Sequence, residues 1–543
     1  MVSVSKKAAV RLGLIAATAA TALVLGGCAA GSGNGGGSGS SGGPIVIGTT
    51  DKVTKLDPAG SFDNGSLMLQ TQVFGLLMDS KVGTSDVEPS LATKAEFTSP
   101  TDYTVTLRKG LKFANGDDLT SSDVKFSFDR QTAINDPNGP AYLLANIDSI
   151  DAPDDTTVVF HLKNGNDQTF AQVLSTAAGA IVDEEVFSAD AVTTDDDIVK
   201  ANAFSGQYVI KSYDFNNLVT FAANKDYQGV LDAAKTSDVT LKYYTDASNL
   251  KLDIQEGNID VAWRTLDPTD IGDLRKNDKV IVTDGPGGEM RYIVFNFNTM
   301  PFGATQPDAD PAKALAVRVA AADLIDRQEI SDQVYKGTHT PLYGFVVDGL
   351  TGAIPVLKDM YGDGKGGPDG EKAKKALADA GVTTPVVLNL QYNTDHYGEA
   401  SADEYALIKS QLEAGGLFTV NLQSTEYTQY SPDRSHDVYP EYQLGWYPDF
   451  SDADNYLTPF FSADSFLVNH YTNTEVQDKI AKEATESDPD ARKTLIEDIQ
   501  KLVAADLPTI PIWQGAQVVV TGTDVSGAKL DGSFKFRFGI LTK

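Results

Sequence analysis

Cysteine is nearly absent from this chain: the single one, Cys28, lies close to the start of its 543 residues. One cysteine excludes a disulfide framework within the chain, so the fold must be stabilised by burial of apolar side chains. Histidine is also scarce, with five residues, and none belongs to an H-E-x-x-H or other close pair. This pattern predicts no zinc site, and we expect neither a metal nor a cofactor.

Positive charge is in short supply as well. Forty-four basic residues face 75 acidic ones, which gives a formal net charge of −31. The phosphates of nucleic acid would be repelled, so a nucleic-acid partner is excluded, and anionic lipid is a poor surface for the body of the protein. The simplest explanation of this negative charge is that it keeps the protein soluble outside the cell.

Long hydrophobic runs are missing except for one short segment near the N-terminus. Lys6, Lys7 and Arg11 introduce an apolar core from about residue 12 to 25, shorter than the ~20 residues of a membrane-spanning helix. A basic start followed by a short apolar core is typical of an export signal. Residues 31–43 are almost all Gly and Ser and predict a flexible tether.

The segment Leu25-Gly26-Gly27-Cys28 resembles the bacterial lipobox, Leu-x-Gly-Cys. The resemblance implies a signal peptide at 1–27, cleavage before Cys28, and diacylglycerol on its sulfur, with 28–43 as the lipidated residue and tether. The protein is then expected on the extracytoplasmic face of the cell membrane, held by its lipid anchor. A transmembrane anchor fits less well because the apolar segment is short. A buried free cysteine also fits less well, because Cys28 lies directly before a linker and not within a folded region.

The remaining chain mixes short alternating segments with helical ones. This mixture predicts an α/β protein, and a length of ~150 residues per domain predicts three domains. The predicted strands are 45–47, 103–107, 157–162, 208–213, 218–222, 239–243, 291–297 and 386–390, and the predicted helices are 311–335, 370–380, 402–414 and 490–505.

Catalytic patterns are weak throughout. The G-x-S-x-G match at 39–43 lies in the tether, and the G-x-G-x-x-G match at 362–367 has no strand before it and Pro368 after it. Asp452 and Asp454 lack the Gly and terminal Glu of a calcium loop and indicate turn or helix-cap chemistry. We therefore expect no enzymatic activity, with a secreted hydrolase lacking a recognisable motif as the alternative.

The most specific pattern is YTVTLRKGLKFANGDDLTSSDVKFS at 103–127, which predicts a strand, a turn at Asn115-Gly116 and a helix capped within Thr120–Asp123. It resembles the signature of the family 5 solute-binding proteins of ABC transporters, the oligopeptide- and dipeptide-binding group. Further segments resemble the family along the mature chain, namely Leu56-Asp57-Pro58, Glu88–Ala92, Gly206–Tyr208, Gly257–Asp260, Phe295–Phe302 and Leu507–Pro511.

The resemblance implies a two-lobed α/β fold of the periplasmic-binding-protein type (type II, cluster C), with three domains and a hinged cleft. Domain I would comprise 44–72, 203–288 and 490–543, domain II would be 73–202, and domain III would be 289–489. The resemblance also implies a monomer that captures peptides and delivers them to the permease subunits of an ABC importer.

Gly445-Trp446-Tyr447-Pro448-Asp449 resembles the G-W-x-x-D element of the family, whose Asp pairs with the ligand's α-ammonium in peptide-binding members. A carboxylate enclosed in a cleft is costly unless paired, and an ammonium supplies charge-assisted hydrogen bonds. Trp446 would add apolar surface or a cation–π face. The alternative is that Trp446 belongs to the core and Asp449 orders its loop.

The resemblance also places ligand-backbone contacts at main-chain groups of Phe62, Asp63 and Asn64 and of Gly445 and Tyr447. Main-chain pairing of this kind adds the ligand as a strand, so it predicts loose selectivity for ligand side chains.

Three further positions bear on the site. Gln443 stands where the oligopeptide binder that this region resembles has an Arg for the ligand carboxylate, so another group must hold that end, or it is not a fixed carboxylate. His396 is a candidate for the same region, with a simply exposed histidine as the alternative. Tyr142 either lines the cleft or only packs.

Other solutes remain open as ligands, such as an oligosaccharide or a metal chelate. Asp449 counts against them, because neutral sugars need no buried carboxylate partner. A peptide-sensing or chaperone-like surface protein with the same fold is a further alternative.

The lipid anchor gives the first testable prediction. Cys28→Ala should abolish lipid attachment and signal cleavage, because no other thiol exists in the chain. Cells fed a radioactive fatty acid should label the wild type and not the variant, with total protein measured by immunoblot as the control. Equal label on both proteins would contradict the anchor.

Overall fold

A computed structural model of the protein describes residues 43–264, 266–463 and 465–543. The export signal, Cys28 and nearly all of the Gly/Ser tether predicted above lie outside the described residues. None of the helices in the described part combines the length and the apolar character that crossing a bilayer requires.

The described chain is a mixed α/β structure, as the sequence predicts. Its strands are β1 (Ile45–Thr49), β2 (Met78–Ser80), β3 (Val87–Pro89), β4 (Ala92–Phe97), β5 (Asp102–Leu107), β6 (Ile147–Asp154), β7 (Thr157–Leu162), β8 (Tyr208–Asp214), β9 (Leu218–Ala223), β10 (Asp238–Tyr243), β11 (Val261–Trp263), β12 (Val280–Phe295), β13 (His339–Pro341), β14 (Val386–Tyr392), β15 (Phe418–Ser424), β16 (Glu441–Trp446) and β17 (Thr509–Gly522).

The helices lie between these strands without a regular repeat. They are α1 (Asn64–Val73), α2 (Ser121–Ile134), α3 (Phe170–Val173), α4 (Asp195–Ala201), α5 (Ala247–Glu256), α6 (Pro268–Leu274), α7 (Pro311–Leu324), α8 (Arg327–Gln333), α9 (Val356–Met360), α10 (Gly370–Asp379), α11 (Ala400–Glu413), α12 (Tyr427–Ser435), α13 (Thr458–Phe461), α14 (Thr474–Glu483) and α15 (Pro489–Asp506), with short 3₁₀ turns at Pro58–Gly60, Ala141–Leu144, Ala177–Gly179, Ala453–Tyr456 and Phe538–Ile540.

One large mixed sheet organises most of the described chain. Its order is β15-β14-β16-β12-β17-β11-β1-β10-β9-β8, and β13 pairs with β17 off this path. A separate antiparallel sheet, β4-β5-β7-β6, lies beside α2. The alternating buried and half-buried residues of β5 and β7 explain why their sequences predicted strands.

Strands β12 and β17 connect two separate apolar cores. The second half of β12 packs into a core of buried residues between 290 and 513, whereas the far end of β17 joins a core built from 45–263 and 519–541. A third core lies between 77 and 181. Residues 496–513, which the resemblance assigned to domain I, pack into the first core.

The irregular stretch in the antiparallel pairing of β12 with β17 depends on glycine. The register shifts between Pro286 and Met290, and a Cβ on Gly287 would lie 2.0 Å from the carbonyl oxygen of Gly515. A Cβ on Gly288 would lie 2.6 Å from Pro448 Cγ. Only residues without side chains allow this close approach, which brings Pro448 against β12.

Local capping signals determine several helix boundaries. Thr120 and Asp123 form a reciprocal capping box at the start of α2, and Gly116 has a φ of +104° in the preceding turn, so both predictions are confirmed. Asp369 caps α10 by accepting the N–H of Lys372, also as predicted.

The single helix predicted over 311–335 is wrong. The chain is extended at Ile325, with a ψ of 117°, and Asp326 then accepts the N–H of Glu329 to begin α8. An Asp followed three residues later by Glu is a helix-start signal, and here it overrides the continuous apolar periodicity.

A fully buried ion pair joins the start of the chain to α2. Arg130 donates to both Asp57 oxygens at 2.9 and 2.8 Å, and both side chains are at most 1% exposed. Asp57 also accepts the N–H of Thr193 at 2.7 Å, and Arg130 donates to the carbonyl of Ser188. Because both charges are satisfied by several partners, the burial is tolerated, and removal of one partner leaves the other unpaired.

The stability test of this pair is Asp57→Ala in the 44–543 chain. Leaving Arg130 buried and unpaired should cost ~3–5 kcal/mol, seen as a lower urea midpoint. Asp129→Ala is the matched control, because its pair with Lys125 is exposed and worth only ~0.3–0.5 kcal/mol. Equal midpoints for the two variants would contradict a structural role for the buried pair.

Candidate functional site

The largest set of expected site residues surrounds one cavity of about 380 Å³, called the Asp449 cavity below. Its walls come from the start of α1, the region around β2, the end of β11, the 447–451 segment and the C-terminal segment 533–536. The expected residues in its lining are Phe62, Asp63, Asn64, Tyr447 and Asp449.

Asp449 lies in this cavity without a basic partner. Its Oδ1 accepts a hydrogen bond from the hydroxyl of Tyr142 at 2.7 Å. In the described part of the chain, no Lys, Arg or His forms an ion pair with Asp449. Burial raises the pKa of Asp449 above its usual range, although the Tyr142 hydrogen bond lowers it. The carboxylate is therefore an acceptor that a cation in the cavity would stabilise.

Asn455 fixes the orientation of the segment that carries this carboxylate. Its Oδ1 accepts the backbone N–H of Asp449 at 2.8 Å and the indole N–H of Trp446 at 3.2 Å. Asn455 is 4% exposed, so it holds the loop from the protein side. The carboxylate is left to face the cavity.

Tyr142 connects Asp449 to the start of the chain. Its ring meets Phe62 edge to face with 6.2 Å between centroids, while its hydroxyl reaches Asp449. The side chain is nevertheless 54% exposed. Tyr142 is not itself part of the cavity lining, but it contacts two expected site residues that are.

The floor of the Asp449 cavity is apolar. Trp263 and Phe536 stack there with 4.3 Å between centroids and 12° between planes. Further apolar lining comes from Leu67, Met68, Leu76, Ala177, Ala180 and Phe534. A ligand with one charged end and an apolar side chain would find a matching surface.

Other expected residues lie outside this lining. Trp446 packs against Phe460 and Phe466, with ring centroids 5.1 and 5.7 Å away, so it belongs to core packing. Gly445 lies in β16 opposite Arg291. His396 stacks on another ring, that of Tyr427, at 3.7 Å.

Gln443 is a structural residue in this chain. It is fully buried, accepts the backbone N–H of Asn393 at 3.0 Å and donates to Ser401 Oγ at 3.0 Å. Asp452 is structural too: it caps a 3₁₀ turn by accepting the N–H of Asp454 and pairs with Arg492 at 2.7 Å, which confirms its predicted cap role. In the three described ranges, no group of three or more His, Cys, Asp or Glu could hold a metal ion.

Sequence reasoning missed most of the residues that line the cavity, among them Arg264, Phe534 and Lys535. Arg264 follows β11 directly, and the other two lie in the C-terminal segment. No motif marks them, because they reach the cavity only through the pairing of β11 with β17.

Comparison with known proteins supports the same architecture. Residues 86–466 match the model of the bacterial extracellular solute-binding proteins, family 5. The "Probable D,D-dipeptide-binding periplasmic protein DdpA" of Escherichia coli is 24% identical over 512 residues, 92% of this chain and 93% of the relative. Heme-binding protein A of Haemophilus influenzae is 25% identical over 481 residues, 81% of each chain.

A solved structure shows the fold. The periplasmic binding protein DppA from Helicobacter pylori, in complex with the peptide STSA, superposes with a TM-score of 0.69 at 20% identity. The match covers 93% of this chain and 98% of that one. The two-lobed α/β fold expected from the sequence is confirmed.

The raised pKa of Asp449 predicts a stability effect of Asp449→Asn. A carboxyl whose folded-state pKa is raised destabilises the ligand-free protein when ionised, and this cost disappears below its unfolded-state pKa of ~3.9. Asp449→Asn should therefore melt at a higher temperature than wild type at pH 7, with the difference shrinking as the pH is lowered. Asp278→Asn, at an exposed position, is the control. A lower melting temperature at pH 7 for the Asp449 variant would contradict the argument.

Proposed function

The chain belongs to the bacterial extracellular solute-binding proteins, family 5, and from this premise we propose that it captures short peptides in the Asp449 cavity. The observation that carries the proposal is a half-buried carboxylate in the cavity, which accepts a hydrogen bond from the neutral hydroxyl of Tyr142 and has no cationic partner among the described residues. A peptide α-ammonium supplies the missing charge through charge-assisted hydrogen bonds. The protein acts by binding and delivery, without a chemical step.

The cavity volume supports a short ligand. Small-ligand pockets occupy roughly 300–1,000 Å³, and about 380 Å³ is near the lower end of that range. Residues 62–64 and Tyr447 are part of the cavity lining. The proposal has their main-chain groups pair with the ligand backbone, which implies loose selectivity for ligand side chains.

We also propose three domains and closure around the ligand. The three large cores support a division close to the one expected from the sequence, with the last part of domain I beginning near Gly515, because residues 496–513 pack in the core of domain III. We take the paired strands β12 and β17 as the hinge, since they contribute to two cores. Closure would enclose the peptide between the lobes.

Delivery completes the proposal. The lipid on Cys28 would hold the protein at the extracytoplasmic face of the cell membrane, and the Gly/Ser tether would let it reach the permease subunits of an ABC importer. The resemblance of 25–28 to a lipobox supports the anchor, and family membership supports the transport role.

A second candidate is another solute, such as a metal chelate or an oligosaccharide, in the same cavity. The similarity to Heme-binding protein A supports this second candidate, because the name of that relative states a ligand that is not a peptide. Native mass spectrometry of purified 44–543 distinguishes the two, because a retained peptide and a retained chelate differ in mass and fragmentation.

The decisive binding experiment combines a protein change with a ligand change. Calorimetry with the tightest binder from a panel of synthetic di- and tripeptides should show severe weakening by Asp449→Ala. Leaving a ligand ammonium buried and unpaired costs ~3–5 kcal/mol, which is on the order of a hundredfold or more in affinity. N-acetylation of the peptide should weaken wild-type binding similarly.

The losses of affinity caused by Asp449→Ala and by N-acetylation of the peptide should not be additive. In Asp449→Ala, free and acetylated peptides should bind nearly alike, because the charge has lost its partner. Asp278→Ala serves as a matched surface control and should behave like wild type. Wild-type protein that binds both peptide forms equally would remove Asp449 from the site and favour the non-peptide candidate.

A further inference from the structure

Four charged side chains line the Asp449 cavity: Asp63, Asp449, Arg264 and Lys535. Two of them are occupied by structural contacts. Asp63 caps α1, where its Oδ1 accepts the N–H of Ser66 at 2.9 Å. Lys535 donates to Asp79 Oδ1 and to the carbonyl of Ser175, both at 2.7 Å. Neither charge is free to recognise a ligand without loss of these contacts.

Arg264 retains donors for a ligand. Its Nε donates to Asp51 Oδ2 at 2.9 Å, and its guanidinium lies 5.9 Å from the centre of the Tyr447 ring. Arg264 also interacts with the hydroxyl of Tyr447. A guanidinium carries five N–H donors in a planar fork, so these two contacts leave donors for other acceptors. The side chain is 31% exposed, although it lies deep enough to line the cavity wall.

Arg264 lines a second cavity as well as the Asp449 cavity. A second cavity of about 220 Å³ shares Trp263, Arg264 and Tyr447 with the first and also contacts Glu289 and His339. Arg264 and Tyr447 therefore form the wall between the two spaces. A group bound at this wall can be reached from either side.

The backbone of Arg264 is held in an unusual conformation. Its φ is +59°, in the left-handed region that residues with a Cβ rarely adopt. Strained backbone of this kind is costly and is concentrated at ligand-binding positions. In this protein the left-handed residue is in the turn directly after β11, and the side chain of Arg264 lies in the cavity wall.

The two available charges lie in the lining of one cavity of about 380 Å³, a volume near the lower end for small-ligand pockets. Arg264 lies against the ring of Tyr447, two residues before Asp449 in the chain. Opposite charges in one cavity of this size match the two ends of a short zwitterion.

We propose that Arg264 binds the carboxylate of the ligand while Asp449 binds its ammonium, so that the site selects short zwitterionic peptides. This inference rests on the proposed function, and it assigns the far end of the ligand that Gln443 does not hold. Arg264 contacts ligand directly in this arrangement, and Asp51 orients its guanidinium.

The test compares free and C-terminally amidated forms of the tightest dipeptide or tripeptide from the synthetic panel. Amidation should weaken binding to wild type by about thirtyfold or more, because it leaves Arg264 without its partner. Arg264→Gln should bind both forms nearly alike. Arg275→Gln is the matched control, since Arg275 pairs with Asp284 outside both cavities, and it should retain the wild-type discrimination.

A second readout on the wild-type protein covers the case in which Arg264→Gln does not fold. Phenylglyoxal modifies accessible arginines, and mass spectrometry of digested protein locates the modification. The free peptide should protect Arg264 and leave Arg275 unprotected, and the amidated peptide should protect Arg264 much less at equal concentration.

The possible failures are distinguishable. If no panel peptide binds wild type, the proposed function fails and the inference fails with it. If peptides bind and N-acetylation weakens them, but amidation has no effect or Arg264→Gln keeps the wild-type discrimination, the proposed function stands and the role of Arg264 is overturned.

Discussion

A half-buried carboxylate without a cationic partner is the constraint on which the site depends. Burial raises the pKa of Asp449, and hydrogen bonds from the side chains of Tyr142 and Asn455 offset part of that cost in the ligand-free protein. Asn455 also fixes the segment by accepting the backbone N–H of Asp449. The molecule thus stores an unsatisfied charge where a ligand ammonium would relieve it, and this cost becomes affinity when the partner arrives.

The remainder of the fold makes that arrangement rigid. The Asp57–Arg130 pair fastens the start of the chain to α2 with every charge satisfied, in contrast to Asp449. Gly287 lets β12 approach β17 closely at the irregular stretch of their pairing, and Gly288 lets the segment that carries Tyr447 pack against β12. The satisfied Asp57–Arg130 pair in the scaffold thus contrasts with Asp449 in the cavity, whose carboxylate has no cationic partner.

Local features of the fold were predictable from the sequence, and long-range ones were not. Strands with alternating burial, such as β7, and caps such as Thr120 and Asp369 follow from neighbouring residues alone. The break at Ile325 was missed because apolar periodicity continues across it, although Asp326 carried the start signal.

The candidate site shows the same limit. Family resemblance located Asp449, and no local pattern could find its contact with Tyr142, 307 residues away in the chain. The resemblance favoured a ligand role for Trp446 with the core as alternative, whereas its ring packs against Phe460, a contact that no local pattern indicates. Arg264 carried no signal, because its place at the cavity wall arises from strand pairing and a left-handed turn.

The most direct test is the pKa of Asp449, measured by carbon NMR of the 44–543 chain with labelled aspartate carboxyls and assigned through Asp449→Asn. Without ligand, the pKa of this carboxyl should lie above that of an ordinary aspartate, ~3.9. Saturation with the tightest di- or tripeptide should lower it, because the ligand ammonium stabilises the ionised form. A pKa that is ordinary without ligand, or that peptide binding leaves unchanged, would contradict the account.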